Sequence, residues 1–383
     1  MLGIGVAGAL LGGGRCVALG RTVAPQAATS SVSTINRAAP GALVREPVTA
    51  WLVLRRAGLG SHAAHRGPGT GVRKPSIGAT CASRYARLVQ TVRIALAQIA
   101  PRLGALDANL ATHHERLHEA RDLGADLVVF PELGLTGYQL QDLAAEVAMR
   151  LDDPRLAELA GATQGLSAVV SFVEESGDHR LFIAAALLED GELRHVHRKL
   201  FLPTYGLFDE RRFFAAGDML RAVPSRLGLG LGIGICEDFW HLPVPQLLAL
   251  DGAQVLINVS SSPGRDLAAT NEVGLGTATS WRTLMRTYAQ LTTSFVVFCN
   301  RVGVDESISF WGGSEVIAPS GRAVFSAPLY DEGLFMVEIA TADVRRERIA
   351  LPLLRDERPE LNARELDRII AERAGLPEAA EEA

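Results

Sequence analysis

Hydrophobic and polar positions follow two different patterns, which meet near residue 90. Residues 1–90 show no sustained period and are dominated by Gly, Ala, Ser, Pro and Arg. Such a segment has little apolar surface to bury, so we predict that it is disordered. From residue 92 onward, short apolar runs alternate with amphipathic segments. The first of them predict a strand at 92–98, a helix at 107–123 with Asp107 as its N-cap, and a strand at 126–130.

The alternation continues as far as residue 340. Short apolar strands separated by helices predict an α/β protein whose sheets are covered by helices. The chain therefore divides into a basic leader (1–90), a folded domain (91–340) and a charged tail with helical stretches (341–383). The tail is either a solvated helix with a frayed end or an arm that docks a subunit. Within the domain we predict helices at 153–164, 244–251 and 280–292, strands at 167–174, 181–188, 254–259, 294–300, 314–319 and 334–338, and a hairpin turn at Asp190-Gly191.

Charge divides the chain at the same place. Residues 1–90 contain eleven Lys or Arg residues and a single acid, Glu46, whereas the remainder carries 27 basic and 42 acidic residues. An Arg-rich, acid-poor leader is typical of an organelle transit peptide or of a nucleic-acid-binding arm. A third interpretation is translation from a start codon placed too far upstream, so that the folded protein begins near Val89 or Val92. The leader lacks the basic start of a secretory signal.

Composition narrows the class of protein. The chain has 383 residues, of which 48% are hydrophobic and 21% charged, as in a soluble globular protein with a large core. Its cysteines show neither CxxC nor metal-ligand spacing, which argues against a disulfide framework or a zinc site. No apolar run approaches the roughly 18 residues of a membrane span. We therefore expect a cytoplasmic protein without metal or cofactor, and neither nucleic acid nor a membrane as its partner.

One cysteine ends a buried strand. The run from Leu231 to Ile235 is apolar and Gly-spaced, and it stops at Cys236, which two acids follow. A strand-to-turn junction exposes a side chain at the end of a sheet and points the next backbone N–H at whatever the sulfur attacks, which suits a nucleophile. The alternative is a buried cysteine that behaves as a small hydrophobe.

Two further polar side chains end apolar segments. Glu132 follows the strand at 126–130, where it is either a cap or turn residue or a general base whose pKa is raised by partial burial. Lys199 lies within a hydrophobic segment, where an ammonium needs a partner, and Glu132 would supply one. Carboxylate, ammonium and thiol together make a coherent hydrolytic site. His241 is the only nearby candidate for a Cys–His pair, and we disfavour it.

These segments resemble the nitrilase superfamily of carbon–nitrogen hydrolases, whose signature is a Glu–Lys–Cys triad in this chain order. Within the superfamily, the segments 132–138, 202–211 and 236–240 are most similar to the glutaminase domain of glutamine-dependent NAD synthetase. The resemblance covers residues 92–340 and implies a four-layer α-β-β-α sandwich in a homo-oligomer. It also rests on Pro131-Glu132, Arg198-Lys199, Cys236, the segment 300–303 and the segment 313–321.

The resemblance also implies roles for single residues. Glu132 becomes the base, Lys199 the oxyanion stabiliser and Cys236 the nucleophile, with the backbone N–H of Glu237 completing the oxyanion hole. Glu210 becomes a second carboxylate that holds Lys199, or else part of a surface run of ion pairs at 209–212. The side chains that match positions lining a glutamine pocket, and that could equally be ordinary aromatic packing, are Tyr138, Tyr205 and Phe208, together with Glu237.

Two features depart from the glutaminase pattern. That domain holds the carboxylate of its amino acid at a Ser-Pro-Phe segment with a basic residue six positions after the serine. The resemblance makes Ser262 the matching serine and a substrate-binding residue, but the position six residues after it is Ala268. Arg265 can substitute only if the loop takes a different path, so we expect glutamine to be a poor substrate. In addition, no segment resembles a synthetase domain or its SGGxDS-type loop.

The resulting hypothesis is an amidase that hydrolyses a small-molecule carboxamide through a thioester acyl-enzyme and releases ammonia. An alternative is a glutaminase subunit that supplies ammonia to a separate synthetase subunit. A catalytically silent binding protein is a third reading, which the intact triad disfavours.

Overall fold

A computed structural model describes residues 91–264 and 275–374. The predicted disorder of the leader, the role of Arg265 and the frayed end of the tail concern residues outside these ranges. The described helices are α1 (Leu106–Asp122), α2 (Pro154–Gly161), α3 (Glu210–Phe213), α4 (Pro243–Leu250), α5 (Gly276–Thr292), α6 (Ala342–Ala350), α7 (Leu353–Asp356) and α8 (Pro359–Arg373).

Fourteen strands lie in the described part of the chain, and twelve of them form two six-stranded sheets. The first sheet has the order β14-β1-β2-β3-β4-β5 and the second β13-β12-β9-β8-β7-β6, while β10 and β11 form a separate hairpin. The strands are β1 (Thr91–Gln98), β2 (Leu127–Val129), β3 (Ser167–Glu175), β4 (Leu181–Glu189), β5 (Glu192–Arg198), β6 (Ala222–Pro224), β7 (Gly230–Ile235), β8 (Val255–Ser260), β9 (Phe295–Asn300), β10 (Val302–Asp305), β11 (Ile308–Trp311), β12 (Glu315–Ile317), β13 (Ala323–Ser326) and β14 (Gly333–Ala340).

The two sheets share one plan. In the first, β1, β2 and β3 are parallel, and in the second β7, β8 and β9 are parallel, with antiparallel strands outside each group. Parallel neighbours place their carboxyl ends at one edge of a sheet, which is where polar loops collect in α/β proteins. Glu132 follows β2 and Cys236 follows β7, so each sheet contributes one of these residues from such an edge.

Alternate residues of the strands build two cores. Ile94 and Leu96 of β1 pack with residues of the second sheet such as Ile257, whereas Ala95 and Ala97 pack under α1 and α2. On the far side of the second sheet lie α4 and α5. The layers therefore run helices, sheet, sheet, helices. The predicted α/β class and four-layer sandwich are confirmed.

Close packing around β7 explains why glycine alternates with apolar residues in this strand. A Cβ on Gly232 would lie 3.0 Å from Cβ of Leu248 in α4, and one on Gly234 only 2.6 Å from a ring carbon of Phe239. Larger residues would therefore push away the helix and the turn that cover this strand.

Most predicted elements are present, with corrected ends. α1 begins at Leu106, so Asp107 lies in its first turn, and Ala105 occupies the N-cap position without a side-chain bond. α5 begins at Gly276, four residues before the predicted start, because packing buries Ala278 although its first residues are weak helix formers. Asp190 and Gly191 have φ of 49° and 88°, as the primed hairpin turn requires.

Candidate active site

Three predicted site residues lie together where strands of both sheets end. Glu132 follows β2, Lys199 directly follows β5, and Cys236 directly follows β7. They are 0%, 1% and 7% exposed, respectively. The site is therefore a buried cluster, and its polar groups must satisfy one another.

Lys199 joins two carboxylates. Its Nζ donates to Oε1 of Glu132 at 2.7 Å and to Oε1 of Glu210 at 2.7 Å. Glu210 is buried, unlike the exposed Asp209 and Arg211 beside it in the sequence. The structure thus places Glu210 against Lys199 rather than in a surface run of ion pairs.

The Glu132 carboxylate is fixed from its other side as well. Its Oε2 accepts a hydrogen bond from the backbone N–H of Ser261 at 2.8 Å, and the Ser261 hydroxyl donates to the Glu132 carbonyl at 2.8 Å. Ser261 follows β8, the strand next to β7. The second sheet therefore orients a carboxylate that belongs to the first.

Cys236 lies in a strained turn. Its φ is +43°, in the left-handed region that costs a residue with a Cβ roughly 1–2 kcal/mol. A short 3₁₀-helix, Cys236–Trp240, begins at this residue and turns the chain away from β7. The sharp turn separates the sulfur from the strand, as a nucleophile requires.

Burial and charge set the protonation of the cluster at rest. Burial, reinforced by the negative charge of Glu132 and opposed by Lys199, raises the pKa of the Cys236 thiol well above its usual value. Burial alone would lower the pKa of Lys199, but the charges of Glu132 and Glu210 outweigh it and hold that pKa well above its usual value. The resting site thus contains a neutral thiol and an ammonium, and a base must remove the thiol proton.

A cavity of about 260 Å³ opens beside Cys236. Of the predicted substrate-binding residues, Tyr205, Phe208, Glu237 and Ser262 line it. The Tyr205 hydroxyl donates to the Glu237 carboxylate, with oxygen distances of 2.9 and 3.1 Å. The cavity therefore has aromatic walls and one oriented carboxylate.

The other two predicted substrate-binding residues are Tyr138 and Arg265. Tyr138 lines an adjoining cavity of about 200 Å³, which shares Phe208 with the cavity beside Cys236, and its hydroxyl donates to Oε1 of Glu210 at 2.6 Å. Arg265 lies outside the described residues. The structure thus brings the Tyr138 hydroxyl to the carboxylate that holds Lys199.

Comparison with known proteins gives the family. Residues 93–349 match the model of the family described as carbon-nitrogen hydrolase. The chain belongs to this family. Its nitrilase-type sandwich and its buried thiol therefore belong to an enzyme that cleaves a carbon–nitrogen bond.

This carbon–nitrogen hydrolase is similar to parts of longer proteins. It is 34% identical over 256 residues to the glutamine-dependent NAD(+) synthetase of Thermotoga maritima, covering 66% of this chain and 42% of that protein. The identity to the Acinetobacter baylyi enzyme of the same name is 30% over 261 residues, covering 68% and 46%. The chain thus spans less than half the length of these two relatives.

Solved structures give the same relationships. The amidase from Nesterenkonia sp. AN1, a member of the nitrilase superfamily, aligns with a TM-score of 0.60 at 26% identity, covering 71% of this chain and 96% of that chain. The glutamine-dependent NAD+ synthetase from Acinetobacter baumannii aligns with a TM-score of 0.58 at 28% identity, covering 65% and 46%.

The described residues of the hydrolase contain neither a group of side chains suited to a metal ion nor a helix suited to a membrane span. Within 91–264 and 275–374, no three or more His, Cys, Asp or Glu side chains are grouped to hold a metal ion. No helix in these ranges is both long and apolar enough to cross a membrane.

The sequence did not single out several residues that shape the site. Ser261 fixes Glu132, and two residues not singled out, Trp281 and Trp311, donate their indole N–H groups to the hydroxyl of the predicted residue Ser262 at 2.8 and 3.3 Å. Asp238 and His197 form a buried pair between the Lys199 and Cys236 segments. Asp238 was visible as an acid two residues after Cys236, but nothing in the sequence showed its partners.

Glu210 should make the stability of the hydrolase depend on pH. Burial, opposed by Lys199 and reinforced by Glu132, raises its pKa from 4.5 to about 7. Between pH 4.5 and about 7 the folded chain therefore keeps a proton on Glu210 that the unfolded chain has released. The stabilisation that this proton gives to the folded state is complete below pH 4.5 and is lost as the pH rises through about 7. Glu210→Gln mimics the protonated carboxyl, so its melting temperature minus that of wild type should increase between about pH 5 and pH 8. A difference that stays constant across this range would contradict the assignment.

Proposed function

We propose that this enzyme hydrolyses a small primary carboxamide to the carboxylic acid and ammonia through a thioester on Cys236. The observation that carries the proposal is the buried contact of Lys199 with Glu132 at the strand ends where Cys236 also lies. Glu132, Lys199 and Cys236 supply a base, a positive charge and a nucleophile within one buried site. Such a set suits acyl transfer.

In the first half-reaction, the sulfur of Cys236 attacks the amide carbon while Glu132 accepts the thiol proton. Negative charge develops on the substrate oxygen, and the Lys199 ammonium and the backbone N–H of Glu237 stabilise it. The C–N bond then breaks, and protonated Glu132 returns the proton to the leaving nitrogen. The products are ammonia and an acyl group in thioester linkage to Cys236.

In the second half-reaction, water attacks the thioester carbon and gives a proton to Glu132. The C–S bond breaks, the carboxylic acid leaves, and the proton returns to the sulfur of Cys236. One amide and one water give one acid and one ammonia, so no oxidant or cofactor is needed. Glu132 acts first as base and then as acid in each half, which suits its two fixed oxygens.

A structural relative supports attack by cysteine. A solved structure of the Nesterenkonia sp. AN1 amidase shows covalent addition of the acetamide moiety of fluoroacetamide at the active-site cysteine of that protein. The same chemistry on this chain would use Cys236, which lines the cavity together with Phe208 and Trp240. The volume of about 260 Å³ suits a small acyl group.

A glutaminase that feeds ammonia to a separate synthetase is the second candidate. Two observations favour it: the similarity to glutamine-dependent NAD(+) synthetases, and the oriented carboxylate of Glu237 beside Cys236, which could accept hydrogen bonds from an α-ammonium group. Ammonia release would then be the same reaction on a different acyl group. Assembly of several copies of this chain stays a prediction.

A panel of amides tests both candidates. Ammonia release is measured with propionamide, butyramide, asparagine and glutamine, each with and without an ammonia-dependent NAD synthetase. We expect turnover of the neutral amides, slow hydrolysis of glutamine, and no response to the synthetase. Efficient glutamine hydrolysis that rises when the synthetase is added would favour the second candidate. No ammonia from any amide would contradict both.

A further inference from the structure

Asp238 connects the two segments that carry Lys199 and Cys236. It is fully buried and lies two residues after Cys236. Its Oδ1 accepts hydrogen bonds from the backbone N–H groups of Leu200 at 2.9 Å and Phe201 at 3.1 Å, the two residues that follow Lys199. One carboxylate oxygen therefore holds the chain immediately after the ammonium.

The other oxygen of Asp238 holds the turn of the nucleophile. Oδ2 accepts from the backbone N–H of Ile235 at 2.9 Å, so Asp238 bonds across the turn that contains Cys236. Cys236 is the residue with φ of +43°, which needs support from its surroundings. A hydrogen bond from a backbone N–H to an ionised carboxylate is among the stronger kinds in proteins.

His197 completes the connection from the other side. It is 2% exposed and lies two residues before Lys199, with its Nε2 at 2.8 Å from Oδ2 of Asp238. Because the ionised carboxylate only accepts hydrogen bonds, Nε2 must be the donor. Lys199 is thus flanked on both sides by groups that bond to one carboxylate. The backbone N–H of Lys199 itself donates to the backbone carbonyl of Ile183 at 2.9 Å.

We propose that Asp238, oriented by His197, is a positioning residue that sets the placement of the Lys199 ammonium relative to the sulfur of Cys236. The inference rests on the proposed function, in which that ammonium stabilises the oxyanion formed beside the sulfur. Neither Asp238 nor His197 lines the described cavity, so both act through the residues they hold. Misplacement of a catalytic group by about 1 Å costs roughly 10²-fold in rate.

Four variants of the full-length chain test the positioning role. Asp238→Asn keeps the shape but turns one accepting oxygen into a donor, so it loses bonds to one of the two segments. His197→Ala removes the orienting donor, whereas His197→Gln retains a side-chain N–H. Glu189→Gln is the matched control. Glu189 is a buried carboxylate at the C-terminal end of β4, and it accepts a hydrogen bond from the hydroxyl of Ser167.

Two readouts separate positioning from general stability. One is kcat and KM for the best amide of the panel, and the other is the pH dependence of Cys236 alkylation by iodoacetamide, read on the Cys236 peptide by mass spectrometry.

Asp238→Asn should lower kcat roughly 10²-fold with little change in KM. It should also move alkylation to higher pH, because a displaced ammonium favours the thiolate less. His197→Ala should lose about 10-fold in kcat and His197→Gln should recover most of it. Glu189→Gln should change neither readout.

Several outcomes would overturn the proposal. A folded Asp238→Asn variant with wild-type kcat and an unchanged alkylation profile would do so, as would equal losses in Glu189→Gln. If Asp238→Asn does not fold, the His197 variants decide, and a His197→Ala variant with wild-type kcat and alkylation overturns the inference. If wild type releases no ammonia from any amide, the proposed function fails, and the alkylation profiles still decide the placement.

Discussion

Cys236→Ala should abolish amide turnover and leave the fold intact. The reaction proposed above needs a bond between Cys236 and the acyl group, and alanine cannot form one. Removal of a catalytic nucleophile from a comparable triad lowers kcat by roughly 10⁶-fold. The fold should survive, because Cys236 is a free cysteine and one sulfur is a small part of the core. Ammonia release and the melting temperature are the two measurements.

Cys299 provides the matched control. It is also a free and buried cysteine of the second sheet, and its thiol donates to the backbone carbonyl of Val129 at 3.1 Å. Burial raises the pKa of the Cys299 thiol far above its usual value, so we expect it to be inert. Cys299→Ala should therefore keep kcat while lowering stability modestly. Turnover that survives in Cys236→Ala and disappears in Cys299→Ala would reverse the assignment.

Glu132→Gln should have the second-largest effect. The amide keeps the size of the carboxylate and can still accept from Lys199, but it cannot take the thiol proton. Glu132→Gln removes one charge that raises the pKa of the Cys236 thiol, but burial, the largest cause, persists, so little thiolate forms without that base. Loss of a general acid–base group typically costs 10²–10⁴-fold. We expect a loss of about this size in kcat, with KM nearly unchanged.

Glu174→Gln is the control for this substitution. Glu174 is 1% exposed and pairs with Arg198, the residue before Lys199, so the change removes an equally buried carboxylate from an equally close ion pair. It should lower stability but spare kcat. Equal kcat losses in the two variants would mean that Glu132 matters through charge balance rather than through proton transfer.

The three central residues could be found from the sequence because their signals are local. Glu132, Lys199 and Cys236 each end an apolar segment, and a polar group at such a junction is conspicuous whatever the rest of the fold does. The strands themselves follow from periodicity, but their pairing order does not, and the four-layer sandwich was expected only from the resemblance to the nitrilase superfamily. Assignment of the class of substrate is a different matter, since the role expected of Arg265 concerns a residue outside the described ranges.

The supporting hydrogen bonds could not be read in the same way. Asp238 bonds to backbone N–H groups 37 and 38 residues away, and Ser261 bonds to a carboxylate 129 residues away. Every residue except proline carries a backbone N–H, so the sequence does not show which of these groups a side chain will bond. Tyr138 shows the same limit: similarity marked it as a pocket residue, and only the fold brings its hydroxyl to Glu210, 72 residues later.

Trapping the acyl-enzyme tests the central claim most directly. Wild-type protein is mixed with the best amide of the panel, quenched in acid during turnover, digested, and analysed by mass spectrometry. The account predicts that the Cys236 peptide gains the mass of the acyl group in place of one hydrogen, and that hydroxylamine removes it as it does a thioester. An acyl group on the Cys299 peptide, or on a carboxylate instead of Cys236, would contradict the account.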